Sequence, residues 1–152
     1  MPTEEGCAPS VRETAVKIVA DAYAWIELFA GTQKGEFVKG KMEEAESVIT
    51  PDTVLAEVAR KYIREGIKEE TARKRLSTIM EACEPAYIDD EVALEAAKAY
   101  LQLEKRAKDA GIDRPSLFDA VVLAIARRSD GKVLTGDEHF EGLPETMWID
   151  PS

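Results

Sequence analysis

Leu117-Phe118-Asp119-Ala120-Val121-Val122-Leu123-Ala124-Ile125-Ala126 carries a single charge, Asp119, in ten residues. Wound as a helix, the run is apolar on every side, so it belongs inside the molecule rather than on an amphipathic surface. A carboxylate on such an element is expensive unless something compensates its charge. Two compensations are open. Ser116 can cap the helix while Asp119, three residues on, completes a capping box and benefits from the helix dipole. Alternatively, Asp119 faces a metal ion. The rest of the chain bears on the choice.

Working outward, Ser129-Asp130-Gly131 reads as the turn that ends this helix, and Lys132-Val133-Leu134-Thr135 as a strand. A short strand over Thr146–Ile149 closes the chain. Upstream, Asp89 or Asp90 caps a long helix running to Ala110 and stopped by Gly111. Before it come a strand at Pro85–Ile88 and an amphipathic helix over Glu69–Cys83, with Ala72, Leu76, Ile79 and Met80 at helical spacing. Pro51 sits at a first helical position, opening a helix to about Glu65 that Gly66 ends. Ser47–Thr50 and Val16–Ala20 are strands; helices are expected at Ala24–Phe29, ended by Gly31, and at about Glu36–Glu46. Residues 1–14, with Pro2, Gly6, Pro9 and Ser10, read as an N-terminal tail. Strands alternating with helices imply a parallel sheet with right-handed crossovers, an α/β sandwich in one domain over residues 15–152.

Bulk properties narrow the function. At 152 residues with 45% hydrophobic and 33% charged residues, the chain reads as an ordinary globular protein. Nothing approaches a membrane span, and Met1–Ser10 lacks the basic flank and apolar core of a secretory signal, so a cytoplasmic location is expected. Cys7 and Cys83 are too few for a zinc site or a disulfide framework, although one bridge between them stays open. The chain has no Asn and only Gln33 and Gln102, a bias that suits a hot environment. A net charge of −10 disfavours non-specific nucleic-acid binding. Local basic clusters persist, at Arg60, Lys61, Arg64, Lys68, Arg73, Lys74 and Arg75, and at Arg127 and Arg128; most such clusters are solvated helix faces.

The acids fall in a pattern. Ligands of an open parallel sheet bind beyond the carboxyl ends of the strands. Asp21 follows the first strand, Glu57 lies on the first turns of the helix after Thr50, Asp119 opens the buried helix, and Asp137 follows Thr135. Each also has an ordinary reading: Asp21 and Asp137 as helix caps or turn residues, Glu57 as a solvated side chain. Four carboxylates gathered at one rim would repel, and some would stay protonated without a cation. A hard divalent ion such as Mg²⁺ or Mn²⁺ accepts oxygen ligands alone and serves phosphodiester hydrolysis.

Val19-Ala20-Asp21-Ala22-Tyr23-Ala24-Trp25-Ile26, Val54-Leu55-Ala56-Glu57-Val58, Ser116-Leu117-Phe118-Asp119-Ala120 and Leu134-Thr135-Gly136-Asp137-Glu138-His139-Phe140 resemble, in order, the four acidic motifs of PIN-domain ribonucleases, especially the VapC-type toxins of prokaryotic toxin–antitoxin pairs. The resemblance spans about residues 16–150. It implies a PIN-like domain with a central parallel sheet of about five strands flanked by helices. It also implies a Mg²⁺- or Mn²⁺-dependent endoribonuclease whose catalytic and metal-binding residues are Asp21, Glu57, Asp119 and Asp137, with RNA as substrate and a VapB-type antitoxin as partner. A homodimer is expected from the resemblance and from apolar helical surface around Trp25, Phe29 and Tyr62. Two positions depart from the pattern. Tyr23 stands where many relatives have Ser or Thr, and His139 where many have a further Asp; His139, the only histidine, is expected at the surface rather than as a ligand.

The same acids would serve a standalone PIN nuclease of RNA processing or DNA repair, and a non-catalytic binding module could keep the fold. A phosphoacceptor signalling domain fits poorly: it wants adjacent acids after the first strand and a Lys after a late one. Here Ala22 follows Asp21, and no Lys follows Thr135.

Overall fold

The computed structural model describes residues 15–150. The expected tail at 1–14 and Cys7 lie outside them. The elements run β1 (Lys17–Ala20), α1 (Ala22–Ala30), α2 (Gln33–Glu44), β2 (Ser47–Pro51), α3 (Asp52–Arg64), α4 (Glu69–Ala82), β3 (Glu84–Ala86), α5 (Asp90–Ala110), α6 (Leu117–Ser129), β4 (Lys132–Thr135), a 3₁₀ turn (Glu138–Phe140) and β5 (Thr146–Trp148). The five strands form one sheet in the order β3-β2-β1-β4-β5. Every pairing is parallel, with Val19 opposite both Ile49 and Val133. The strand order reverses direction at β1, so the crevice beyond β1 and β4 is the topological switch point, where such sheets bind ligands.

The expected α/β architecture of five parallel strands flanked by helices is present, and most boundaries agree with the sequence. The differences are local. Pro51 closes β2 instead of opening α3, which begins at Asp52. Strand β3 is shorter than expected, Glu84–Ala86, and leaves Tyr87 and Ile88 exposed. The turn after α6 takes its left-handed residue at Asp130 (φ 59°) rather than at Gly131; Asp tolerates that conformation because its short polar side chain can bond locally.

Helix α6 is the keystone of the core. Ala120 through Ala126 are all buried, because α6 packs on β1 and β4 on one side and along α5 on the other. Helix α5 meets it with Val92, Ala96, Ala99, Leu103 and Ala107, a buried stripe at helical spacing. The alanines let the two helices approach closely. On the sheet side, Ile18, Val19, Ala20, Val133 and Leu134 are no more than 1% exposed. Right-handed crossovers put α1–α4 on the opposite face of the sheet from α5 and α6. There Trp25 donates its indole N–H to Thr50 Oγ1 at 3.1 Å.

This packing corrects the basis for the dimer. Trp25 is 1% and Tyr62 3% exposed, and Phe29 packs against the core with the Arg75 guanidinium over its ring. They are not spare apolar surface. The large apolar side chains left exposed include Ile63, Met80, Tyr87, Ile88, Leu94 and Leu101. Helical periodicity marks an apolar face without saying whether an element of the same chain covers it.

Candidate metal centre at the carboxyl edge of the sheet

Asp21 follows β1 and is the N-cap of α1. Its Oδ1 accepts from the Ala24 backbone N–H at 3.0 Å, and its Oδ2 accepts from the Thr135 hydroxyl. The residue is 6% exposed. Burial, helped by the nearby Asp137 and Glu57 charges, outweighs these hydrogen bonds and pushes its carboxyl from 3.8 up to about 7. Glu57, one turn into α3, is likewise pushed from 4.5 to about 7 by burial and by the charges of Asp119 and Asp137, with only Arg60 opposing.

Asp119 makes the capping box of the first reading, and that role leaves its carboxylate free to take part in the second. Its N–H donates to Ser116 Oγ at 3.1 Å and its Oδ2 accepts from the Ser116 N–H at 3.0 Å, a complete capping box. The same carboxylate faces Asp137, and burial with that neighbour's charge raises its pKa against the pull of Ser116 and His139. Asp137 caps the 3₁₀ turn, with Oδ1 accepting from the His139 N–H at 2.9 Å. Its own N–H donates to Thr135 Oγ1 at 3.0 Å.

The four sequence-derived acids lie on one edge of the sheet within electrostatic reach of one another: Asp21 feels Glu57 and Asp137, Glu57 feels Asp119 and Asp137, and Asp119 feels Asp137. Only Asp119 and Asp137 among them fall in the tight ligand-atom group, with Asp21 and Glu57 outside it. Four separate segments supply them, and Arg60 is the one cation among the causes acting on Glu57. The other basic clusters behave as solvated faces. Arg73 pairs with Glu69 and Lys61 with Glu65, Arg127 with Glu95 and Glu145, and Arg75 lies over Tyr62.

Two contributors were not legible as site residues. Thr135 is fully buried, and its hydroxyl couples Asp21 to Asp137 by donating to one and accepting from the other's backbone. The signal for it was a polar residue closing an otherwise apolar strand. The second is His139, whose expected surface position is corrected. Its side chain is only 14% exposed. Nδ1 lies 2.9 Å from Asp137 Oδ1 and 4.0 Å from Asp119 Oδ2, while Nε2 donates to the Asp113 carbonyl at 2.7 Å. Burial lowers the imidazole pKa, but the Asp113 carbonyl and the two carboxylates more than offset it, leaving the group above its ordinary value. Ligand atoms of Asp119, Asp137 and His139 lie within 4.8 Å of one another, close enough to share an ion.

Tyr23, at the position where a hydroxyl side chain was expected, points elsewhere. Its ring covers Gly136 so closely that a Cβ there would meet ring carbons at 2.6 Å, and its hydroxyl accepts from Lys34 Nζ at 2.9 Å. The hydroxyl in contact with Asp21 comes from Thr135 on β4 instead.

The sequence profile of the PIN domain family matches residues 18–145. No curated protein matches the chain. Solved structures share its backbone at low identity. The sarcin–ricin-loop-cleaving toxin VapC20 of Mycobacterium tuberculosis superposes with a TM-score of 0.65 at 17% identity, covering 88% of this chain and 99% of that one. A toxin–antitoxin complex from Klebsiella pneumoniae gives 0.64 at 18% identity, covering 88% and 98%. DNA-bound VapBC from Salmonella typhimurium gives 0.62 at 13% identity, covering 88% and 96%.

Proposed function

The chain belongs to the PIN domain family, and from that premise we propose that it is a divalent-metal-dependent endoribonuclease, the toxin of a VapBC-type pair. The observation that carries the reading is the close group of Asp119, Asp137 and His139 at the switch point, with Asp21 and Glu57 near enough to feel its charge and raised to about 7 by burial and repulsion. Acids such as Asp21, Glu57 and Asp119, whose charged forms the folded protein disfavours, are a poor way to build a fold and a good way to bind a cation. The donor set is rich in carboxylate oxygen, which fits Mg²⁺ or Mn²⁺.

Such an ion, when bound, supplies a water of lowered pKa and stabilises charge on the attacking and leaving phosphodiester oxygens. The protein's part is to hold the ligands in place. The Ala24 N–H and the Thr135 hydroxyl fix both oxygens of Asp21, Ser116 fixes Asp119, and the His139 N–H fixes Asp137. Glu57 has only Arg60 opposing its burial, so a bound cation would do most to hold its carboxylate charged.

The family likeness and the sarcin–ricin-loop-cleaving neighbour support RNA as substrate, and the neighbours that are toxin–antitoxin complexes support a VapB-type antitoxin as partner. A homodimer, and a single domain over 15–152 behind a short tail, complete the proposal. Purified protein is expected to cleave RNA in Mg²⁺ or Mn²⁺ and to stop in EDTA. Asp21→Asn is expected to lower the rate by orders of magnitude while folding normally. Cleavage indifferent to both EDTA and Asp21→Asn would sink the reading.

A further inference from the structure

One side chain at the centre is not an acid, and its hydrogen bonds dictate what it can do. A backbone carbonyl only accepts, so at 2.7 Å from the Asp113 oxygen His139 Nε2 must carry a hydrogen. The neutral ring then has its lone pair on Nδ1. Nδ1 lies 2.9 Å from Asp137 Oδ1, in hydrogen-bonding geometry, and 4.0 Å from Asp119 Oδ2. Ionised carboxylates only accept. Three acceptors therefore face one another across a space that has to hold a proton or a cation.

We propose that His139 Nδ1 is a nitrogen ligand of the divalent ion held by Asp119 and Asp137, and that it tilts the site from Mg²⁺ toward Mn²⁺ and later first-row ions. The inference rests on the metal-dependent reading above and adds a ligand to it. Around an octahedral ion with bonds of about 2.1 Å, neighbouring ligands lie about 3.0 Å apart and opposite ones about 4.2 Å. The 2.9 Å and 4.0 Å separations from Nδ1 fall close to those two spans. The Nε2–H bond to a backbone carbonyl is the arrangement that orients a ligating imidazole and fixes its tautomer. Mg²⁺ strongly prefers oxygen, whereas imidazole nitrogen suits transition ions, so replacing an oxygen donor by Nδ1 changes which ion is preferred.

The chain contains one histidine, so an imidazole signal on a bound ion has one source. The test uses tag-free full-length protein loaded with Mn²⁺ and read by pulsed EPR. Imidazole nitrogen modulation is expected in the wild type, altered by ¹⁵N-histidine labelling and absent in His139→Gln and His139→Asp. In calorimetric titrations with Mn²⁺ and Mg²⁺, Mn²⁺ affinity is expected to fall at least on the order of tenfold in His139→Gln, since even an outer-sphere partner is worth that much, and the preference for Mn²⁺ over Mg²⁺ is expected to shrink in both variants. Mn²⁺ bound without nitrogen modulation would show that His139 only hydrogen-bonds Asp137, overturning this proposal and leaving the metal-dependent reading intact. Failure of both ions to bind at all would overturn both. The wild-type spectrum decides the matter even if a variant folds poorly.

Discussion

Asp119 caps a helix with a carboxylate whose charge the folded protein disfavours. Its capping box with Ser116 holds the first turn of α6, while its pKa is raised by burial and by Asp137. Asn caps nearly as well as Asp, and the dipole interaction lost is a few tenths of a kcal/mol. Removing a charge that the folded site disfavours acts in the opposite direction. Asp119→Asn is therefore expected to leave the metal-free protein at least as stable as wild type in urea at pH 8, while the rise in Tm on adding Mn²⁺ shrinks sharply. A loss of 1 kcal/mol or more without metal would mean that capping dominates. A second residue-scale case is Gly136 under Tyr23. Gly136→Ala puts a methyl 2.6 Å from the ring, an overpacking worth about 1–3 kcal/mol. The Tyr23→Ser, Gly136→Ala double variant should recover most of that loss, and a strictly additive double-mutant cycle would contradict the contact.

At the scale of elements, α2 contains two glycines with opposite roles. A Cβ at Gly35 would sit 2.2 Å from the Glu27 carbonyl oxygen, where α2 starts against the backbone of α1. Backbone cannot rotate away, so Gly35→Ala is expected to cost at least about 1–3 kcal/mol. Gly40, in the same helix, has nothing within 4 Å of that position. Gly40→Ala should stabilise by about 0.5–1 kcal/mol through helix propensity and reduced freedom of the unfolded chain. Urea midpoints of the two variants should move to opposite sides of wild type, and movement in the same direction would refute the packing at Gly35. Helix α6 has no such latitude. Leu123 is fully buried between α5 and the sheet, and Leu123→Ala is expected to cost about 2–5 kcal/mol in the same assay.

Across the whole molecule, the acidic centre sets the response to pH. Asp21 and Glu57 titrate near 7 when folded and near 3.8 and 4.5 when unfolded. Between about pH 4 and 7 the folded state holds protons that the unfolded state has released, so stability falls as pH rises. Buried Asp21 alone accounts for at most about 1.4 kcal/mol per pH unit; Glu57, partly solvated, adds less. Asp119 and His139, both shifted upward, act in the same direction. In EDTA, Tm is expected to be lower at pH 8 than at pH 5, with millimolar Mn²⁺ narrowing the gap because an ion that binds only the folded state stabilises it. Asp21→Asn should flatten the metal-free profile. A Tm that climbs steadily from pH 5 to pH 8 without metal would contradict the assignment.

The sequence by itself determined the layered α/β architecture, the burial of α6 and the rim on which the acids lie. Each follows from local patterns: an unbroken apolar run, strands alternating with helices, and Gly31 and Gly111 closing α1 and α5 with left-handed backbone. It also marked Asp21, Asp119 and Asp137, because an acid at a strand end or on an apolar helix is conspicuous in one dimension, and Glu57 through its place after the second strand and its motif's resemblance. Tertiary structure alone decided the rest. Whether Trp25 and Tyr62 face solvent or core depends on which helices cover them, which periodicity does not encode. That Thr135 binds Asp21, a contact 114 residues long in sequence, follows from β4 pairing beside β1. His139 turns inward because the Asp113 carbonyl before α6 takes its Nε2–H. Side-chain chemistry is written residue by residue, but the direction a polar atom faces is set by partners that only the folded chain brings within hydrogen-bonding distance.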